Sequence, residues 1–275
     1  MTAQRYVRGT AVYVLLVVLA GIMLYPLFYT AASAFMTPDE AAQYPPKLLP
    51  SGLYFGSIAT VLKLVPIGRF ISNSFVIAVV IMAAQVLTGA MAAYAFAYIS
   101  FRFKPFWFAL FLSTMMIPWE VTIIPNYLTV KSWGWLDTFL GLTVPFFASS
   151  FGVFLLRQFF LQLPRELFEA ARIDGCGHIR HFLRIVLPLS RPALATLAVY
   201  TFLQAWNMYL WPLLITNSDK MRTVQIGISM LQFEEFTVWN IVLSGVFIVL
   251  LPSLLLLVLG LKQLVRGITA GAVKG

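Results

Sequence analysis

Between residues 163 and 188 the chain reads Leu163-Pro-Arg-Glu-Leu-Phe-Glu-Ala-Ala-Arg-Ile-Asp-Gly175, then Cys176-Gly-His-Ile-Arg-His-Phe-Leu-Arg-Ile-Val-Leu-Pro188. Pro164 suits the first turn of a helix, where its missing N–H costs nothing. Glu166 and Glu169 fall in the early turns and favour the positive helix end. Gly175 is a good left-handed stop. A second short helix is predicted from about His178 to Val186, ending before Pro188. Two short helices at an angle make a rigid knuckle. Ala170 and Ala171 are small enough for another surface to approach closely, and Leu167 and Phe168 are apolar. Such a knuckle suits a groove on a soluble partner. From the residues alone, a solvated loop with Arg165–Glu169 and Glu169–Arg172 pairs at helical spacing is the alternative.

On either side lie apolar runs, about Phe139 to Leu156 before and Pro192 to Thr216 after. Four more run from about Ala11 to Ala34, Phe70 to Tyr98, Phe106 to Val130 and Val238 to Leu261. A helix needs about 20 apolar residues to cross the hydrocarbon. The expected fold is an all-α integral membrane protein with six transmembrane helices. Composition agrees: of 275 residues 60% are hydrophobic and 11% charged, with mean hydropathy +0.87. Too few charges remain to coat a water-facing globule, so a soluble enzyme is excluded. The runs are apolar on all faces, against a β-barrel. The first is long for a signal peptide, lacks a small-x-small cleavage site, and reads as a retained helix.

Lysine and arginine sort by side. Thirteen fall at Arg5 and Arg8, at Arg102 and Lys104, in the 163–188 region with Arg157 and Arg191, and at Lys262, Arg266 and Lys274. Six fall on the other side: Lys47, Lys63, Arg69, Lys131, Lys220 and Arg222. The richer side is the cytoplasm, which places both termini inside. The net charge of +9 is then topology, and no nucleic acid is needed as a partner. One transmembrane domain, residues 1–275, accounts for the chain, with an external loop at about 37–69 and a cytoplasmic loop at about 162–190. Pro38, Pro45, Pro46 and Pro50 suggest an extended external loop with one short helix after Ser51. The single cysteine, Cys176, excludes an intrachain disulfide, and no metal site is expected.

The spacing Glu169-Ala170-Ala171, three residues, Gly175, nine residues, Ile185-Val-Leu-Pro188 resembles the EAA loop of ABC-importer permeases without a gap. Further matches are Asn73-Ser74, Met116-Ile-Pro-Trp-Glu-Val-Thr-Ile-Ile-Pro125, Phe154-Leu-Leu-Arg-Gln-Phe-Phe160, Trp206-Asn-Met-Tyr-Leu-Trp-Pro212 and the end from Arg266 to Gly275. Together they are similar to the second permease of the carbohydrate-uptake class, closest to importers of sn-glycerol 3-phosphate or glycerophosphodiesters such as glycerophosphocholine. Di- and oligosaccharide importers of the trehalose and maltose type share most of these motifs and are the alternative. The resemblance implies a type I permease fold in the cytoplasmic (inner) membrane of a prokaryote. It implies a paralogous permease as the other half of a heterodimer, two copies of a cytosolic ABC ATPase, and an extracytoplasmic solute-binding protein. Glu169 would anchor toward the ATPase, Ala170 and Ala171 would form the close-contact surface, and Asp174 and Gly175 the turn. The chain has no GxxxxGK[ST] loop, so ATP and magnesium would belong to the ATPase, with no cofactor and no catalytic residue here.

Prolines 118, 125, 145, 212 and 252 are expected to kink their spans. Glu120 is an acid within a span, and such acids usually face a cavity or a partner. With Asn126 and Tyr127 nearby it is a candidate for the solute path. Gln204, Trp206 and Asn207 cluster in the fifth span, where aromatic faces and amides suit polyols. Asn73 is a weaker candidate, since polar contact between helices explains it equally well. The spans contain no lysine or arginine, so phosphate selectivity is expected in the binding protein or the other permease. Proton-coupled transport lacks a second acid or histidine within a span. His178 and His181 lack the partners of a catalytic site.

Overall fold

The computed structural model describes residues 2–173, 175–232 and 238–270. The helices are, in order, α1 (Thr2–Ser33), α2 (Pro38–Ala42), α3 (Gly56–Leu64), α4 (Ile67–Tyr98), α5 (Lys104–Ser113), α6 (Trp119–Ser132), α7 (Phe139–Thr143), α8 (Ser150–Phe160), α9 (Arg165–Ile173), α10 (His178–His181), α11 (Leu187–Leu189), α12 (Arg191–Trp206), α13 (Leu210–Ile215), α14 (Val224–Ser229) and α15 (Trp239–Ala270). No strand occurs among the described residues. Two stretches, Gly9–Ser33 and Ile67–Tyr98, are each long and apolar enough to cross a membrane. Three more reach that length only as bent pairs. Lys104–Met116 meets Trp119–Ser132 at 96°, Phe139–Phe146 meets Ser150–Phe160 at 45°, and His178–Leu189 meets Arg191–Trp206 at 77°. Trp239–Leu255 is a shorter apolar stretch within α15.

The chain packs as two compact units, residues 1–67 with 227–253 and residues 68–226 with 254–275. In the first unit the apolar side chains of α1 from Val12 to Leu19 are exposed, while Ser33, Ala34 and Met36 beyond them are buried. Phe35 sits edge-on to Phe55 and Phe247, at 5.5 and 5.4 Å. Asn240 donates to Ser57 (2.9 Å), and Ser244 donates to the Ala34 carbonyl (3.1 Å). The helix expected after Ser51 is α3, and α2 is an addition. Thr37 caps α2 in a capping box with Glu40.

Glu40 also accepts from the Ser51 amide (3.0 Å) and from the Lys47 ammonium. The Lys47 bond and then the Ser51 bonds pull its carboxyl from 4.5 to about 2. A lowered folded value means the clamp is complete above about pH 4.5 and lost as pH falls toward about 2. Amide exchange at Ser51, corrected for its intrinsic rate, should stay slow from neutral pH to about 5 and accelerate only below 4.5. In Glu40→Gln it should be fast throughout.

The core of the second unit joins α4, α8 and α12 through Ala90, Ala93, Tyr94, Val153, Leu156, Phe160, Ala193 and Leu197. At Gly89 a Cβ would lie 3.6 Å from the Gly152 carbonyl carbon, an ordinary contact distance, so α4 and α8 pack closely here without requiring glycine.

The bends fall where prolines predict them only in part. Pro118 is the N-cap of α6, at the 96° break. Pro125 and Pro252 lie inside α6 and α15. The bend after Pro145 exposes backbone carbonyls, and α4 satisfies them. Gln85 donates to the Phe146 carbonyl (2.8 Å), and Thr88 donates to that of Phe147 (2.7 Å). Irregular backbone at membrane depth needs such partners. The fifth apolar run is not one helix: α12 ends at Trp206, and the chain turns at Asn207–Tyr209 before α13 carries Pro212.

Candidate functional site

The knuckle forms as the sequence predicts at its first half and differs at its second. α9 ends before Gly175, which has φ +68°, and the Cys176 amide reaches back to the Ala171 carbonyl (2.9 Å). Only a residue tolerant of left-handed φ closes a helix this way. Beyond α10 the chain does not stop before Pro188. It widens into a π-helical turn, Phe182–Val186, and runs on through α11 to Leu189. A wider turn moves the preceding carbonyls away from the proline ring, relieving the clash that would end an α-helix.

On α9, Glu166, Leu167, Glu169 and Ala170 are exposed. Ala171 is 7% exposed and Phe168 half-buried, so both turn toward the chain's own interior. The surface open to close approach is therefore Ala170 with Glu169 and Leu167, narrower than the resemblance implied. Asp174 lies outside the described residues, as do the side chains of Arg165 and Arg172. Gly175 is exposed at the tip.

The residues marked for a solute path separate into two groups. Asn73 is 7% exposed, and its amide donates to the carbonyls of Lys220 and Arg222 at 2.8 and 2.9 Å. Its neighbour Ser74 accepts from the Val224 amide (2.9 Å). Asn73 thus ties α4 to the segment before α14, a structural use. Asn73→Leu should cost about 1–3 kcal/mol by leaving both carbonyls unpaired, read as a lowered thermal midpoint in detergent. Trp206 is 2% exposed, stacked on Phe202 at 6.0 Å, and its indole nitrogen has no partner among the described residues. Its burial removes it from the groups presented on the surface of this chain.

The second group is exposed. Asn207, at the end of α12, donates to the Leu203 carbonyl (2.8 Å) and accepts from Gln225 at 3.4 Å. Gln204 is exposed one turn earlier. Glu120 is exposed in the first turn of α6, directly after the 96° break. Asn126 and Tyr127 are half-buried two turns on. The breaks meet at three aromatic rings. Trp119 lies 4.8 Å from Phe146 and 5.7 Å from Trp211, whose indole donates to the Gly141 carbonyl (3.0 Å). This cluster brings the start of α6, beside Glu120, against α13 near Asn207. Gln225 escaped the sequence reading because it lies outside the apolar runs, and only the chain's return beside α12 pairs it with Asn207.

Residues 85–266 match the family described as binding-protein-dependent transport system inner membrane component. The chain is 36% identical to the sn-glycerol-3-phosphate transport system permease protein UgpE of Brucella melitensis, over 98% of both chains. UgpE of Agrobacterium fabrum matches to the same extent. That of Yersinia pestis is 36% identical over 95% of this chain and 96% of its own. Among solved structures, a bacterial ABC transporter involved in the import of the acidic polysaccharide alginate superposes with a TM-score of 0.83. It covers 95% of this chain and 98% of its own at 22% identity, a likeness of fold.

Proposed function

Because this chain belongs to the family of binding-protein-dependent transport system inner membrane components, we propose that it forms half of the path for sn-glycerol 3-phosphate or a glycerophosphodiester. It is a multi-pass inner-membrane permease of the ABC importer class. The observation that carries the substrate is the 36% identity, over nearly the whole chain, to permeases named for sn-glycerol-3-phosphate transport. In this reading residues 1–275 are one domain with six spans and both termini in the cytoplasm. A paralogous permease completes the path, and two ATPase subunits hold ATP and magnesium beneath it. A binding protein delivers the solute outside.

The knuckle gives the coupling. Glu169, Ala170 and Leu167 enter a cleft of the ATPase, and Gly175 turns the chain at the tip. Closure of the ATPase dimer on ATP draws the two knuckles together, and the cavity opens outward. For this to happen, ATP and the loaded binding protein must each bind the outward state more tightly. Asn207, Gln204 and Glu120 are the groups assigned to the path. Amides and a carboxylate offer hydrogen bonds to hydroxyls, and the carboxylate repels a phosphate, so the phosphate is read elsewhere in the complex.

The experiment is ATPase stimulation of the reconstituted complex by its binding protein. Loaded proteins carrying sn-glycerol 3-phosphate, glycerophosphocholine, trehalose or maltose are compared. Stimulation by the glycerophosphate compounds alone is expected. Stimulation by a disaccharide alone would keep the permease and overturn the substrate.

A further inference from the structure

Beneath α9 lies a cluster whose role goes beyond docking, though it rests on the permease reading above. Phe168 is the large α9 side chain that turns inward. Its ring lies 4.5 Å from Tyr98 on α4 and 4.6 Å from His181 on α10. Tyr94, one turn before Tyr98, places its hydroxyl 2.9 Å from His181 Nδ1 and 3.3 Å from His178 Nδ1. A phenol has one hydrogen to give, so it donates to one imidazole and accepts from the other. Tyr98 donates to the Phe160 carbonyl at the end of α8. Four helices therefore meet at four side chains.

Stability does not explain this composition. His181 is 7% exposed, and its Nε2 has no partner among the described residues. An apolar side chain of similar volume would fill the space without an unpaired buried nitrogen. Hydrogen bonds do what apolar packing cannot: they fix ring angles, so that the contact turns as a unit. The π-helical turn Phe182–Val186 follows directly, an element often found at functional sites in helices. We propose that Phe168, His181, Tyr94 and Tyr98 form the transmission joint that passes displacement of α9 by the docked ATPase to α4. Phe168 is the knob, and Tyr94 and His181 are positioning residues.

The joint carries a pH signature. Burial first, and His178 second, hold the His181 imidazole below its ordinary value. The titratable groups around it are His178 on its own helix and Tyr94 and Tyr98 on α4, with Cys176 acting on Tyr94. α9 presents Phe168, which is uncharged. His181 is therefore neutral at cytoplasmic pH. Acidification puts a charge in the buried joint and leaves Nδ1 able only to donate to Tyr94.

The test uses the complete complex in proteoliposomes, with Phe168→Ala, Tyr94→Phe, His181→Ala and His181→Asn. Co-purification of the ATPase and basal hydrolysis within about twofold of wild type are expected. Stimulation by loaded binding protein should fall at least about fivefold in Phe168→Ala and His181→Ala, within the usual range of coupling between sites. Asparagine at 181 can still pair with Tyr94 and should restore much of the loss. Tyr94→Phe combined with His181→Ala should lose no more than the worse single variant. Between about pH 7.5 and about 5.5, the ratio of stimulated to basal hydrolysis should fall for wild type and stay flat for His181→Asn. Wild-type stimulation in all variants, or asparagine as poor as alanine, would overturn the joint. So would basal hydrolysis and co-purification falling in step with stimulation. If variants fail to fold, a flat wild-type pH ratio overturns it by itself. A wild-type complex that retains no ATPase would instead overturn the permease reading.

Discussion

Glu169→Lys is expected to abolish solute-driven ATP hydrolysis and transport while the chain still inserts and folds. Glu169 is exposed on α9, and among the described residues its carboxylate has no partner. It contributes little to the folded chain, and its loss should leave stability within about 0.5 kcal/mol. The role proposed for it lies in the complex. Removing one member of a buried, hydrogen-bonded charge pair at an interface costs about 2–5 kcal/mol. At about 1.4 kcal/mol per decade that is a loss of tens- to thousands-fold in affinity. Reversal of sign adds repulsion. Titration of the purified ATPase onto the permease pair reads this directly, and Glu169→Gln should fall between the two. A Glu169→Lys complex that binds the ATPase and transports normally would remove the coupling role from this helix.

Gly141→Val is expected to destroy the fold of the α6–α7 corner. A Cβ at Gly141 would lie 2.3 Å from the Trp135 carbonyl oxygen and 3.0 Å from a Val130 methyl. Real side chains never approach so closely, and the first atom is backbone. Neither side can withdraw. The Gly141 amide is capped by Thr138 (3.2 Å), and its carbonyl accepts from Trp211 (3.0 Å). Overpacking usually costs about 1–3 kcal/mol, and here the backbone clash places it at or above the upper end. That is a large part of the total stability of a protein. Loss of monodisperse protein after detergent extraction, or a strongly lowered thermal midpoint, is the expected result. Thr138→Ala, which removes the cap and a hydrogen bond to the Trp135 carbonyl (2.8 Å) without adding bulk, should cost about 1–2 kcal/mol. Gly141→Val as stable as wild type would mean that Trp135 packs elsewhere.

The two variants sample what could and could not be read along the chain. The placement of Glu169 was legible because it rests on local spacing: a helix start at Pro164, a glycine stop, and small residues between them. Gly141 carries no such mark. It lies in an apolar run like several other glycines, and its importance comes from a carbonyl six residues earlier that the α6–α7 turn folds back on it. Asn73 and Asn207 show the same division. Both are amides in or beside apolar runs, and neither spacing nor polarity separates them. One is buried against two loop carbonyls and the other is exposed beside Gln225.

From the sequence alone came the membrane class, the apolar runs, the knuckle with its stop at Gly175, and the family likeness. Each depends on composition or on contacts within a few residues, where periodicity and backbone preference act without help. Tertiary structure decided where the long runs break, that Ala171 and Phe168 turn inward, and that Gln85 and Thr88 satisfy the backbone opened after Pro145. It also brought Tyr94 and Tyr98 against His181, some eighty residues away. These outcomes depend on which distant surface fills a space or pairs a polar group. That is settled by packing and by the cost of unpaired groups, not by the order of neighbours along the chain.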